Sequence, residues 1–105
     1  MIVLTLKDRY EILALLPQKG DLLTLEIAKG ISEKVIVRPE ETEQYCIKSM
    51  GQGLSWNVEG ENAVFDINFT EPELAVLKKE IKIRDEKREI PIGLYNLVLK
   101  LIACS

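Results

Sequence analysis

Two short stretches of the chain could hold a phosphate. The first, LLPQKGDLLTLEIAKGI at residues 15–31, sets Lys19 and Gly20 between two apolar runs. A phosphate loop needs G-x-x-x-x-G-K-[ST] after a buried strand, so that backbone amides cradle the anion and the lysine after the glycine reaches it. Here the lysine precedes the glycine, the run before it has helical spacing, and Asp21 would put a carboxylate where phosphate belongs. The second stretch, Gly51-Gln52-Gly53, starts like a dinucleotide fingerprint. It joins two alternating apolar runs instead, and lacks the following helix whose N-terminus would hold a pyrophosphate. Both stretches read as turns.

Acid–base and nucleophilic chemistry find little support. The chain has no histidine, which excludes Ser-His-Asp and Cys-His catalysis and nearly every common zinc site. The paired carboxylates Glu40-Glu41 and Asp85-Glu86 lie in polar segments, where nothing would raise a carboxyl pKa for proton transfer. The hydroxyl residues have no visible base to activate them. Cys46 and Cys104 are the only cysteines and form neither a Cys-x-x-Cys pair nor a disulfide framework. They read as two reduced thiols, Cys46 packed and Cys104 near the chain end. No catalytic, cofactor-binding or metal-ligating residue is expected, and no cofactor.

The elements that would position any site are strongly punctuated. Thr5 stands three residues before Asp8, a relative of the capping box, and opens a helix whose apolar stripe is Leu6, Tyr10, Leu13 and Ala14, widened by Ile12 and Leu16. Pro17 stops it. Gly20 turns the chain and Asp21 caps a second helix through Leu23, Ile27 and Ile31, flanked by Leu22, Leu25 and Ala28, ending or bending at Gly30. Pro39-Glu40-Glu41 predicts a short third helical turn. From Tyr45 the period becomes alternating. Ile47 and Met50 precede the glycine turn, Leu54, Trp56 and Val58 follow it, Gly60-Glu61-Asn62 turns again, and Phe65, Ile67 and Phe69 make a further strand. Thr70 and Glu73 form a full capping box for a helix through Leu74, Leu77 and Ile81. The charged run 84–89 connects to a last helix from Ile90, apolar nearly all round except at Asn96 and Lys100.

The expected fold is therefore α+β: an N-terminal helix-turn-helix pair, a central two- to three-stranded antiparallel meander and two C-terminal helices, in a winged-helix-like order. At 105 residues the chain reads as a single domain, 1–105. With 47% hydrophobic and 30% charged residues it can build a core without metal or disulfide staples. The apolar start MIVL is too short and too uncharged for a signal peptide, and the stretch 94–102 cannot span a bilayer. A cytoplasmic protein is expected.

A winged helix would place a third helix in the DNA major groove and use Lys48, Ser49 and Gln52 on the wing. The third segment, RPEETEQY, carries three glutamates and one arginine, whereas base edges and phosphates call for Arg, Lys, Asn or Gln. Seventeen acidic against fourteen basic residues, net charge -3, also disfavour phosphate binding. DNA binding is kept as the alternative. The mixed charges of KKEIKIRDEKRE read as a solvated helical face. Trp56, the only tryptophan, reads as core, or as an interface residue should its sheet face lie uncovered.

The successive segments LKDRYEILALLPQKGDLLTLEIAKGI, PEETEQYCIKSMGQGLSWN and FTEPELAVLKKEI, within residues 4–83, resemble small uncharacterised phage and prophage proteins of Gram-positive bacteria. There an L-K-E-R helix leads to L-P-x-x-G-[DN], an L-T-L-K helix, a P-E-E turn, a strand pair ending in Trp-Asn and an F-T-E-x-E helix. The chain departs at GLYNLVLKLI, where that group has a charged helix toward L-Y-E-K-F. The resemblance implies a phage origin and carries over no functional residue. The expected function is a non-enzymatic interaction protein acting by protein–protein contacts in the host cytoplasm, as host-takeover and anti-defence proteins do. Its partner would be a host or phage protein. Tyr95, Val98, Leu99 and Ile102 are the candidate interface residues, for a homodimer through the 91–104 helix. Lys48, Gln52 and Trp56 are the candidate partner-binding residues.

Overall fold

The computed structural model describes residues 2–51 and 53–103. Their order is β1 (Ile2–Leu4), α1 (Leu6–Leu15), α2 (Leu22–Val35), α3 (Pro39–Gln44), β2 (Lys48–Met50), β3 (Gly53–Ser55), α4 (Val58–Asn62), β4 (Phe65–Ile67), α5 (Glu71–Glu86), a 3-10 turn at Ile92–Leu94 and α6 (Tyr95–Ala103). The fold is α+β, with the helix-turn-helix pair first and two C-terminal helices last, as the sequence predicts. Among the described residues no helix is long and apolar enough to cross a membrane. Cys104 and Gln52 lie outside the described residues.

The caps form as the sequence predicts. Thr5 Oγ1 accepts from the Asp8 amide at 3.1 Å, Asp21 Oδ1 from Thr24 at 2.7 Å, and Thr70 Oγ1 from Glu73 at 3.3 Å. These bonds satisfy donors that the first helical turn leaves free. The α1 chain leaves helical torsions at Leu16, immediately before Pro17. The α2 helix runs through Gly30 to Val35 rather than ending there.

Strand pairing differs from a simple meander. The β2 and β3 strands form the hairpin, Lys48 opposite Ser55 and Ser49 opposite Leu54. The third strand, β4, leaves it and pairs antiparallel with β1, Ile2 opposite Ile67 and Leu4 opposite Phe65. The apolar start of the chain supplies the partner, burying Ile2 and Leu4. In place of the second turn stands α4, capped by Asn57 Oδ1 on the Gly60 amide at 2.8 Å. Gly60 allows a close approach there: a Cβ would meet Tyr45 Cβ at 3.0 Å and Leu6 and Trp56 at 3.2 Å, tighter than most Cβ contacts.

The core joins Ile2 and Leu4 to Ile12, Leu15 and Leu16 of the α1 end, Ala28, Ile31 and Val35 of α2, Leu77 and Ile81 of α5, and Leu97 and Leu101 of α6. Several expected core residues lie outside it. On α1 the buried face is Leu6, Asp8, Arg9, Ile12 and Leu15, while Tyr10 and Leu13 are half-buried and Ala14 is exposed. Leu22, Leu23, Leu54 and Val58 are exposed, and Trp56 is half-buried. Leu54 faces α1 only across an open concavity, so alternation there does not mark a core. Cys46, expected to be packed, is also exposed. It occupies the left-handed position after α3, φ 51°, with the amides of Cys46 and Ile47 donating to the carbonyls of Glu43 and Thr42, the Schellman end that usually takes glycine.

Three helix N-termini are clasped in the same way. In α1, α3 and α5 the third residue (Asp8, Glu41 or Glu73) accepts from the backbone amide of the capping residue, at 3.1, 3.1 and 2.8 Å. Each of these carboxylates also takes a cation from another helix: Lys100 of α6, Arg9 of α1 and Lys34 of α2. A local cap thus becomes a tertiary fastening. The fullest is Arg9, only 5% exposed. Its Nε donates to Val35 O at 3.0 Å and Nη2 to Ile36 O at 2.7 Å, closing the end of α2. Nη1 and Nη2 grip both oxygens of Glu41 at 2.6 and 3.0 Å, and the guanidinium lies 4.5 Å from the centre of the Phe65 ring. Paired, and hydrogen-bonded at all three nitrogens, a buried guanidinium is tolerated.

Candidate functional site

The outer face of α1 looks onto β3. Lys7, Tyr10, Glu11 and Ala14 recur at helical spacing along one wall of a concavity of about 580 Å³, whose other wall is Gly53, Leu54 and Trp56. A second hollow of about 320 Å³ shares Lys7 and Trp56 and continues past Glu61 to Gly93, Asn96 and Lys100. Trp56 therefore stands between an apolar hollow and a polar one, in a groove that runs across α1.

Its ring is held from two sides. Tyr10 lies parallel to it, centroids 6.2 Å apart and planes 7° apart. Nε1 donates to Glu61 Oε2 at 2.7 Å, and α4 carries Glu61 to that position because Asn57 starts the helix four residues earlier. A half-buried indole fixed by a stacked tyrosine and a carboxylate offers a flat apolar surface with little rotamer entropy left to lose, the property that enriches tryptophan at binding hot spots.

The charges of the groove are mostly committed. Lys7 Nζ donates to Gly93 O at 3.3 Å and pairs with Glu11 at 3.5 Å, and Asp8 holds Lys100 at 2.5 Å. Burial raises the Glu11 carboxyl pKa above the ordinary glutamate value against the opposing pull of Lys7. Burial likewise raises the Tyr10 phenol, with Arg9 lowering and Glu41 raising it. Such a surface favours apolar or hydrogen-bonding ligand groups over a bare anion.

Of the candidate site residues that the structure describes, only Trp56 reaches this groove. Lys48 is exposed on β2, across the hairpin from Ser55 and outside the groove. Tyr95, Leu99 and Ile102 are exposed on α6, and Val98 is half-buried against the core. Sequence reading missed Tyr10, Glu61 and Lys7. Tyr10 falls among the apolar positions of α1 and reads as core until β3 lies beside it. The signal for Glu61 was Asn57 as a helix cap within the supposed turn. The chain matches no known protein family, no curated protein and no solved structure.

Proposed function

We propose that this protein is a non-enzymatic interaction module that docks a segment of a partner protein in the Trp56 groove. The observation that carries this reading is the half-buried indole itself, held by Tyr10 and Glu61 between two hollows that share it. Support for a non-enzymatic role comes from the carboxylates: Asp8, Glu11 and Glu61 each hold a lysine or the indole N–H, which leaves them poorly placed to move protons on a substrate. The resemblance of residues 4–83 to phage and prophage proteins favours a mobile-element origin and a host or phage protein as partner in the host cytoplasm, consistent with host takeover or anti-defence.

The DNA-binding alternative has weaker support. The third helix is only six residues long, Glu41 is spent on Arg9, and Glu40 and Glu43 are exposed beside the single basic residue Arg38. That face offers little to phosphates.

The test compares wild type with Trp56→Ala and Tyr10→Ala in capture from host lysate. A protein retained by wild type and lost from both variants, which also shifts the fluorescence of the single tryptophan when added back purified, supports the reading. Equal capture by all three, or duplex DNA as the retained species, overturns it.

A further inference from the structure

The apolar arc of α6 is wider than the arc its core needs. With 100° per residue, Leu97 and Leu101 point into the core and Leu94 and Val98 lie at its edge. Past that edge the arc continues through Ile102, Tyr95 and Leu99, which are 60%, 57% and 48% exposed. Beside it lies a hollow of about 300 Å³ between α5 and α6, floored by Ile81, Ile90 and Val98. Its α5 rim carries Lys82 and Asp85, one helical turn apart and both exposed. Among the described residues neither of these two side chains has an ion-pair partner.

An apolar stripe beside a rim bearing one unpartnered charge of each sign is what an isologous interface uses. A two-fold axis brings the same patch onto itself, and an axis passing between Lys82 and Asp85 sets each against the opposite sign in the other copy. We infer that the α5–α6 face binds a second copy of this chain. Tyr95, Leu99 and Ile102 of one copy cover those of the other, and Lys82 of each copy meets the second copy's Asp85. The Trp56 groove also reaches α6, but through Asn96 and Lys100, which lie outside the arc of Tyr95, Leu99 and Ile102.

The test is mass in solution across a range of concentrations. Light scattering should give twice the 11.9 kDa of the chain, and Leu99→Asp should give the single-chain mass with an unchanged circular dichroism spectrum. Lys82→Asp and Asp85→Lys alone replace two attractive rim contacts with two repulsive ones. Each should weaken the dimer about tenfold, in line with small exposed pairs summed twice. These side chains are exposed and have no ion pair among the described residues, so folding is not at stake. The double exchange, and an equimolar mixture of the two single variants, should restore the affinity. A monomer at every concentration overturns the inference, as does a dimer indifferent to both Leu99→Asp and the charge exchange.

Discussion

The two faces of α1 carry opposite chemistry within one helical turn. On the inner face Asp8 and Arg9 are buried, and each reaches other elements: Asp8 holds Lys100, and Arg9 holds Glu41 and the last carbonyls of α2. On the outer face Lys7, Tyr10 and Glu11 are half-buried or exposed and look across a groove at Trp56. The inner charges are locked because losing its partner would strand Asp8 or Arg9 away from water. The outer ones keep contact with solvent and can exchange it for a ligand. One helix thus holds the fold with one side and offers a surface with the other.

Arg9→Met breaks the comparison hardest. It leaves Glu41 without its cation and two carbonyls without their donor, and should cost about 3–5 kcal/mol, the range for removing one partner of a buried pair. Chemical denaturation measures it, and a loss under about 1 kcal/mol would mean the clasp is ornamental. Arg9→Lys should also be costly, since an ammonium cannot grip both oxygens and two carbonyls at once.

Trp56→Ala tests the outer face. Because the ring is only half-buried, stability should fall by about 1–2 kcal/mol, while partner affinity falls by about 2 kcal/mol or more. The reverse ranking would make Trp56 a core residue.

Acid should act on the clasps first. The guanidinium of Arg9 holds the Glu41 carboxyl below its ordinary pKa. For Glu73, burial pushes up, but hydrogen bonds from Lys34 and the Thr70 amide and the Lys34 charge win, and the pKa is lowered. A depressed folded pKa contributes stability that is complete above the unfolded value of about 4.3 and is lost as pH falls through the folded one. The denaturation midpoint should therefore drop below about pH 4, and less so in Glu73→Gln. A midpoint that does not move between pH 6 and about pH 3 would sink this account.

The smallest effects sharpen the outer face and the helix ends. Glu11 runs opposite to Glu41: its raised folded pKa imposes a penalty that grows as pH rises through it. Glu11→Gln should thus gain a few tenths of a kcal/mol at neutral pH, net of the Lys7 pair, and nothing in acid. Cys46→Gly relieves a left-handed non-glycine residue and should stabilise by about 0.5–1 kcal/mol in thermal melts.

What the chain determines locally was legible in it. Thr5, Asp21 and Thr70 as caps, Pro17 as a stop and Pro39 at a helix start all act within four residues through hydrogen bonds or proline sterics, so residue type and spacing suffice to read them. The bonds that decided the rest span the chain. Whether β4 pairs with the hairpin or with β1 depends on which pairing buries Ile2 and Leu4. Whether Tyr10 is core or groove wall depends on where β3 lies. Arg9 looks like one surface cation among fourteen basic residues until the end of α2, Glu41 and Phe65 are brought around it. Burial is a property of the assembled chain, and it decides which charges become fasteners and which aromatic ring stays half-exposed.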